Sequence, residues 1–308
     1  MTTKPELVIA GTGAMACLFG ARLAEHTDLT LLGTWPEGLA ALKEKGITLV
    51  EADGSERTMP VRATDDPRQC VGVRQALVLV KSWQTERAAR QLAECLSSEG
   101  VALTLQNGLG NLELLQQILG AERAALGVTT IGATLLAPGR VRAGGVGPTN
   151  MAAHPRLAWL IELLRVAGYE VEVAEDIESL IWGKLAINAG INPLTALLRM
   201  PNGELLARPH TQALMKAAAE ETALVAAAKG VKLPYAKPGA AVTEVARRTA
   251  NNRSSMLQDV ARNAPTEIDA ICGAVVKEGE RLGIPTPVNW TLWYLVRSIL
   301  SSTGEVLP

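Results

Sequence analysis

Aromatic residues are scarce in this chain: of 308 residues, six are Trp, three Tyr and one Phe, 3% in all. A core built with so few rings must be aliphatic and Ala-rich, which suits tight Ala/Gly packing between helices. Cysteine is also sparse. Cys17, Cys70, Cys95 and Cys272 are scattered, and no two form a C-x-x-C pair. That argues against a disulfide framework or a thiolate zinc site and for reduced intracellular thiols. The three histidines, His26, His154 and His210, show no metal-ligand spacing and no partners for His-centred catalysis. A net charge of −1 leaves no basic field to hold nucleic acid or an anionic membrane. The first apolar run is short and broken by Gly11-Thr12-Gly13, which fits neither a signal peptide nor a membrane span. No Walker lysine-serine pair follows that turn, which argues against ATP hydrolysis. These absences point to a soluble cytoplasmic protein. At 308 residues and 48% hydrophobic content, the chain is long enough for two domains.

The first half alternates short apolar runs with helical patterns. Leu7-Val8-Ile9-Ala10 and Leu29-Thr30-Leu31-Leu32 read as strands, with a helix over about 14–25 between them. Ala76-Leu77-Val78-Leu79-Val80 and Val101-Ala102-Leu103-Thr104-Leu105 are two more, separated by a helix over about 85–96. This order predicts a parallel sheet covered on both faces. Ile47-Thr48-Leu49-Val50 and Met59-Pro60-Val61 flank the turn signal Asp53-Gly54 and predict an inserted hairpin. A Gly-dense β patch spans 127–146, and Val171-Glu172-Val173 reads as the last strand. From Ile177 to Thr303 the pattern is helical. The expected division is an α/β domain over 1–175 and an all-α domain over 176–308.

Gly11-Thr12-Gly13-Ala14-Met15-Ala16 follows the first strand and opens the first helix, as a G-x-G-x-x-A dinucleotide-binding turn does. Gly11 permits the tight turn, Gly13 the approach of a pyrophosphate, and Ala16 close helix–strand packing. Helix amides near Ala14 and Met15 would face the phosphates. The second strand ends Leu32-Gly33-Thr34-Trp35, without the acid that commonly binds a ribose 2′-hydroxyl. The nearest, Glu37, lies beyond Pro36. A carboxylate there would repel a 2′-phosphate, so its absence favours NADPH, with Thr34 able to donate one hydrogen bond but no charge. Trp35 can stack on adenine or pack at the strand end.

The most informative stretch is Trp182-Gly183-Lys184-Leu185-Ala186-Ile187-Asn188-Ala189-Gly190-Ile191-Asn192-Pro193. Lys184, Asn188 and Asn192 recur at i, i+4 and i+8, which stacks a cation and two amides on one helix face. An ordinary solvated face would favour better helix formers than Asn. A plain amphipathic helix with a wet side is the competing interpretation. This stretch, followed by Pro201-Asn202-Gly203-Glu204-Leu205, Ser254-Ser255-Met256-Leu257-Gln258-Asp259 and Thr266-Glu267-Ile268-Asp269, resembles the ketopantoate reductase (2-dehydropantoate 2-reductase) family in motif and order along nearly the whole chain.

The resemblance implies a Rossmann-type dinucleotide-binding domain followed by an all-α substrate domain, with NADPH as cofactor and a 2-oxo acid as substrate. Lys184 matches the family's general acid, and partial burial would lower its pKa towards neutrality. Asn188 and Asn192 would hold substrate polar groups, Ser255 the substrate carboxylate or hydroxyl, and Glu267 the substrate hydroxyl and the lysine. In Lys81-Ser82-Trp83-Gln84, the positions Lys81 and Gln84 match cofactor contacts. Asn107, in Gln106-Asn107-Gly108-Leu109-Gly110, would touch both nicotinamide and substrate. The family carries an Arg near Thr34, which this chain lacks. Each assignment has an ordinary structural counterpart. Ser255 and Gln258 have the S-x-x-Q spacing of a capping box, and Thr266–Asp269 reads as an acidic first helical turn after Pro265. Glu221 matches a recurring family glutamate but equally suits a cap.

The favoured function is NADPH-dependent reduction of 2-dehydropantoate to pantoate, in pantothenate and coenzyme A biosynthesis. Its rivals are a reductase of another branched 2-oxo acid and a nucleotide-sensing protein without turnover. A 3-hydroxyacid or opine-type dehydrogenase would require a catalytic His that the chain does not place. The sequence leaves the oligomeric state open, a homodimer among the choices.

Overall fold

Alternate residues of the first strand enter different cores: Leu7 and Ile9 join one, Val8 and Ala10 the other. A strand buried on both faces needs a near-continuous apolar run, and these four residues supply it. The computed structural model describes residues 6–300. The chain clusters into two compact units, residues 1–106 with 111–177, and residues 107–110 with 178–308. Thr303, the expected end of the helical pattern, lies outside the described residues.

The first unit contains β1 (Glu6–Ala10), α1 (Ala14–Leu23), β2 (Asp28–Leu32), α2 (Pro36–Lys45), β3 (Ile47–Val50), β4 (Glu56–Met59) and β5 (Arg62–Thr64). It continues with β6 (Val73–Val78), α3 (Thr85–Cys95), β7 (Leu96–Thr104), α4 (Asn111–Leu119) and β8 (Ala124–Thr129). Last come β9 (Ala133–Ala137), β10 (Arg140–Ala143), β11 (Thr149–Ala152), α5 (Ala158–Val166) and β12 (Val171–Ala174). Eight strands form one sheet in the order β5-β2-β1-β6-β7-β8-β11-β12. Pairing is parallel from β5 through β8, antiparallel between β8 and β11, and parallel again to β12. Residues of α1 and α5 pack into the core on one face, and those of α3 and α4 into the core on the other. The strand order reverses between β1 and β6. A doubly wound sheet binds its ligand outside the carboxyl ends of the strands at such a switch point.

The expected hairpin is present, but its second strand runs over Glu56–Met59 and not over 59–61. β3 and β4 pair antiparallel around a turn in which Asp53 Oδ1 accepts from the Ser55 amide (2.9 Å) and hydroxyl (2.6 Å). β4 stops at Met59, because Pro60 has no N–H to continue the ladder. With β10 and β9 the hairpin completes a separate four-stranded sheet.

The helical unit contains α6 (Ile177–Leu198), α7 (Pro209–Ala228), α8 (Pro238–Arg248), α9 (Ser255–Ala261), α10 (Cys272–Leu282) and α11 (Pro287–Leu300). Three of these begin at a proline, whose fixed φ and missing donor suit a first helical position. The core is aliphatic, with Leu185, Ile191, Met215, Val225, Val242 and Val296 among its members. Among the described residues no helix is long and apolar enough to cross a membrane.

Candidate active site

In the helical unit, α6 carries Lys184, Asn188 and Asn192 on successive turns. Its other faces hold Trp182, Leu185, Ala186, Ala189 and Ile191 in the core. The polar row is not a wet face: Lys184 and Asn188 are partly buried, and Asn192 is only 7% exposed. Pro193 sits inside α6 without ending it. Past it, Thr195 Oγ1 lies 3.0 Å from the carbonyls of Ile191 and Asn192 and 2.7 Å from Ser254 Oγ.

Burial pulls the Lys184 ammonium down from its ordinary value to about 8, while the charge of Glu267 works in the opposite direction. Glu267 is itself buried, at 4% exposure. It does not lie in a helix. Residues 267–271 form a turn, with the Ala270 and Ile271 amides both donating to the Glu267 carbonyl at 3.1 Å, and α10 begins only at Cys272. The expected helix start at Thr266–Asp269 is therefore corrected. The sequence has helical acids there, but Ile271 adopts φ −100°, ψ −93°, outside the helical region. A helix dipole does not account for the buried carboxylate.

The segment 107–110 follows a sheet strand yet clusters with the helical unit. Asn107 Nδ2 donates to Glu267 Oε2 at 3.2 Å, and the Leu109 amide donates to the Ala270 carbonyl at 2.9 Å. Between them, Gly108 has φ +84°. A Cβ at Gly108 would collide with the Ala270 carbonyl oxygen and lie 2.7 Å from the Ala270 Cβ. Glycine is thus required twice over, by backbone conformation and by space. Asn107, Glu267 and Lys184 are brought together here from three distant parts of the chain.

Ser255 is the first residue of α9 and partly buried, but it does not cap the helix. The cap is Ser254, whose Oγ accepts from the Leu257 amide at 3.0 Å. The S-x-x-Q box read on Ser255 and Gln258 is corrected by one residue, and Gln258 Nε2 instead donates to the Arg253 carbonyl. Ser255 therefore keeps a side chain that the helix end does not use. Glu221 resolves as a cap. Its carboxylate accepts from the Val288 amide (2.8 Å), the Asn289 amide (2.9 Å) and Asn289 Nδ2 (2.9 Å), closing the start of α11.

In the sheet unit, Gly11 adopts φ +133° in the turn between β1 and α1, its amide donating to the Leu32 carbonyl at 2.7 Å. A Cβ there would stand 3.1 Å from the Leu79 backbone. Gly13 caps α1 without a side chain, and a Cβ there would meet nothing within 4 Å. Open space above uncapped first-turn amides, with Ala14 and Met15 partly exposed beside it, fits a diphosphate. Lys81 and Gln84 follow β6 and are partly buried, with Gln84 Oε1 accepting from the Lys81 amide at 3.4 Å. Thr34 is exposed past the end of β2. Trp35 packs over Gly38, where an added Cβ would collide with its ring, so its ring is engaged at the strand end.

Two features of this unit escaped the sequence reading. Gln106 is a brace: its Nε2 donates to the Val80 carbonyl (2.9 Å) and Thr85 Oγ1 (2.8 Å), and its Oε1 accepts from Thr104 Oγ1 (2.9 Å). Arg68 follows β5, the strand beside β2, and grips Asp66 through Nε at 2.8 Å and Nη2 at 3.1 Å. Its charge is compensated locally, and nothing in its spacing marked it. The cysteines are free and buried, and burial pushes the Cys17 and Cys95 thiols up to about 12, which suppresses thiolate chemistry.

Comparison with known proteins covers both units. A sequence profile for "Ketopantoate reductase PanE/ApbA" matches residues 7–156, and one for its C-terminal part matches residues 176–300. The 2-dehydropantoate 2-reductase of Halobacterium salinarum is 36% identical over 298 residues, covering 95% of this chain and 98% of that one. That of Archaeoglobus fulgidus is 38% identical over 302 residues, covering 95% and 97%. A crystal structure of a PanE/ApbA family ketopantoate reductase from Ralstonia eutropha superposes with a TM-score of 0.90 at 32% identity, covering 96% of this chain and 99% of that chain. D-mandelate dehydrogenase with NADH and anilino(oxo)acetate superposes with a TM-score of 0.87 at 25% identity, covering 96% and 99%.

Proposed function

The chain belongs to the ketopantoate reductase family, and on that premise we propose that it reduces 2-dehydropantoate to pantoate with NADPH, Lys184 supplying the proton. The observation that carries the reading is the grouping of Asn107, Glu267 and Lys184 in one unit, a buried carboxylate acting on a lysine whose pKa burial has lowered.

Gly11, Gly13, Ala14 and Met15 would hold the diphosphate, Thr34 the adenosine end, and Lys81, Gln84 and Asn107 the cofactor towards its nicotinamide. Held there, the nicotinamide cofactor would supply a hydride to the ketone carbon. As that carbon is reduced, Lys184 passes its proton to the ketone oxygen, so alkoxide charge never builds up unpaired. The lysine is left neutral and regains its proton from solvent. Glu267 favours the ammonium form before each turnover and accepts a hydrogen bond from the substrate hydroxyl. Asn188, Asn192 and Ser255 orient the carboxylate and the remaining polar groups.

Thr34 brings no positive charge, so the preference for NADPH over NADH is modest. The likeness to D-mandelate dehydrogenase keeps a second substrate in view, a 2-oxo acid without the hydroxyl. A panel of 2-oxo acids assayed with NADPH and with NADH tests the proposal. 2-Dehydropantoate should exceed its 4-deoxy analogue by about tenfold or more in kcat/KM, since the analogue forfeits a hydrogen bond to a buried carboxylate. Equal rates for the two acids would make the general 2-oxo acid reductase the better reading.

A further inference from the structure

The paired register of β6 and β7 ends with Val78 opposite Thr104. Two residues further along each strand stand Val80 and Gln106, and there a side chain continues the ladder: Gln106 Nε2 donates to the Val80 carbonyl at 2.9 Å. Thr104 Oγ1 donates to Gln106 Oε1 at 2.9 Å, which fixes the orientation of the amide and aims its other N–H at Thr85 Oγ1, 2.8 Å away. Thr85 is the first residue of α3. Its one hydroxyl hydrogen is aimed at Asn111 Oδ1 (2.9 Å) and at the Ser82 carbonyl (2.8 Å). The bond to Ser82 is local and suits any threonine at a helix start. The bonds to Gln106 and Asn111 cross 21 and 26 positions of sequence, which a helix start does not require. Thr85 is fully buried, and Thr104 and Asn111 are nearly so. A hydroxyl at this depth has little access to solvent, so its removal strands the donors and acceptors around it.

The attachments of this network fall at the ends of two short segments. Val80 and Thr85 bracket residues 81–84, and Gln106 bonds to both of them. Gln106 and Asn111 bracket residues 107–110, and Thr85 bonds to both of those. Each segment is therefore held at its two ends by a buried side chain from the flank of the other. The first segment carries Lys81 and Gln84, and the second carries Asn107. We propose that Thr85 is a positioning residue for the reduction: its hydroxyl sets where segments 81–84 and 107–110 stand relative to one another, and through them the nicotinamide end of the cofactor against Asn107. The inference rests on the proposed cofactor contacts of Lys81, Gln84 and Asn107. Thr85 acts through these residues and not on the reacting atoms. A nicotinamide displaced by an ångström loses the close approach that hydride transfer needs, so the hydroxyl bears on turnover as well as on cofactor affinity.

Thr85→Val keeps the shape of the side chain and removes the hydroxyl, whereas Thr85→Ser keeps the hydroxyl. Two readouts on the full-length protein test the proposal, with circular dichroism to show that each variant is folded. One is the affinity for the reduced nicotinamide cofactor that the wild type binds more tightly, measured by fluorescence titration without substrate. The other is kcat on whichever 2-oxo acid the wild type reduces fastest. Thr85→Val should weaken cofactor binding about tenfold and lower kcat by about 10²-fold. Thr85→Ser should stay close to the wild type in both. Gln106→Met, which keeps the length of the side chain and removes both donors, should repeat the two losses and carries the test if Thr85→Val does not fold. A merely structural hydroxyl would lower the melting temperature and leave the folded variants with wild-type affinity and turnover. Wild-type affinity or wild-type kcat in folded Thr85→Val or Gln106→Met would overturn the proposal, as would losses in Thr85→Ser equal to those in Thr85→Val. The titration uses no substrate, so its outcome is independent of whether 2-dehydropantoate is the acid reduced.

Discussion

Asn107 and Glu267 lie 160 positions apart and share a hydrogen bond of 3.2 Å from amide to carboxylate. Gly108 and Leu109 seat the same loop against Ala270, so the carboxylate is held by backbone as well as by side chain. A buried carboxylate positioned in this way can both favour the lysine's charged form and read a hydroxyl on the substrate.

Gly108→Ala should lower kcat by about 10²-fold, the usual consequence of displacing a catalytic group by an ångström. The added methyl meets Ala270 and the backbone at φ +84° disfavours any side chain. Circular dichroism should show an intact fold. Wild-type turnover in this variant would mean that the loop does not position Glu267.

The pH profile of kcat/KM should be flat through neutrality and fall above about 8, where Lys184 loses its proton. Glu267→Gln removes the charge that raises this pKa, so the fall should begin at lower pH. Stability runs the other way. Between about 8 and the ordinary 10.5, the unfolded chain holds a proton that the folded chain has released, so the Lys184 contribution to stability rises with pH across that window. A falling limb that ignores Glu267→Gln in kinetic titrations would separate the two residues.

Cofactor choice should respond to one added charge at Thr34. Thr34→Arg supplies the cation missing past the end of β2 and should strengthen the preference for NADPH by about 1.5–3 kcal/mol, the worth of a charge-assisted hydrogen bond. The ratio of kcat/KM for the two cofactors measures it. An unchanged ratio would place the 2′-phosphate elsewhere.

Glu221→Ala should cost about 2–3 kcal/mol of folding stability, because it strips a charged acceptor from donors at the start of α11. Its kcat should stay near that of the wild type. Denaturant titration alongside steady-state assays would show the split, and a large loss of turnover at unchanged stability would return Glu221 to the active site.

Much of this was legible in the sequence. Period and turn chemistry marked the strands, the Gly11–Gly13 turn and the polar row of α6, because each is a local pattern. The motif resemblance supplied Glu267, Ser255 and Asn107 as candidates. What stayed hidden was tertiary. Nothing near Glu267 in sequence announces that Asn107 bonds to it, or that the acids around it occupy a turn and not a helix. Ser254 and Ser255 are adjacent serines, and only the backbone path decides which one caps. Glu221 caps a helix more than sixty residues ahead, a separation that no capping pattern spans.

The central claim is that Lys184 donates the proton in a reduction of 2-dehydropantoate. Steady-state oxidation of NADPH by wild type and Lys184→Ala, with NADPH affinity measured by fluorescence titration, tests it most directly. The account predicts that kcat falls by about 10²–10⁴-fold, the worth of a positioned general acid, while NADPH affinity is unchanged. Wild-type turnover by Lys184→Ala, or no reduction of 2-dehydropantoate by the native chain, would contradict it.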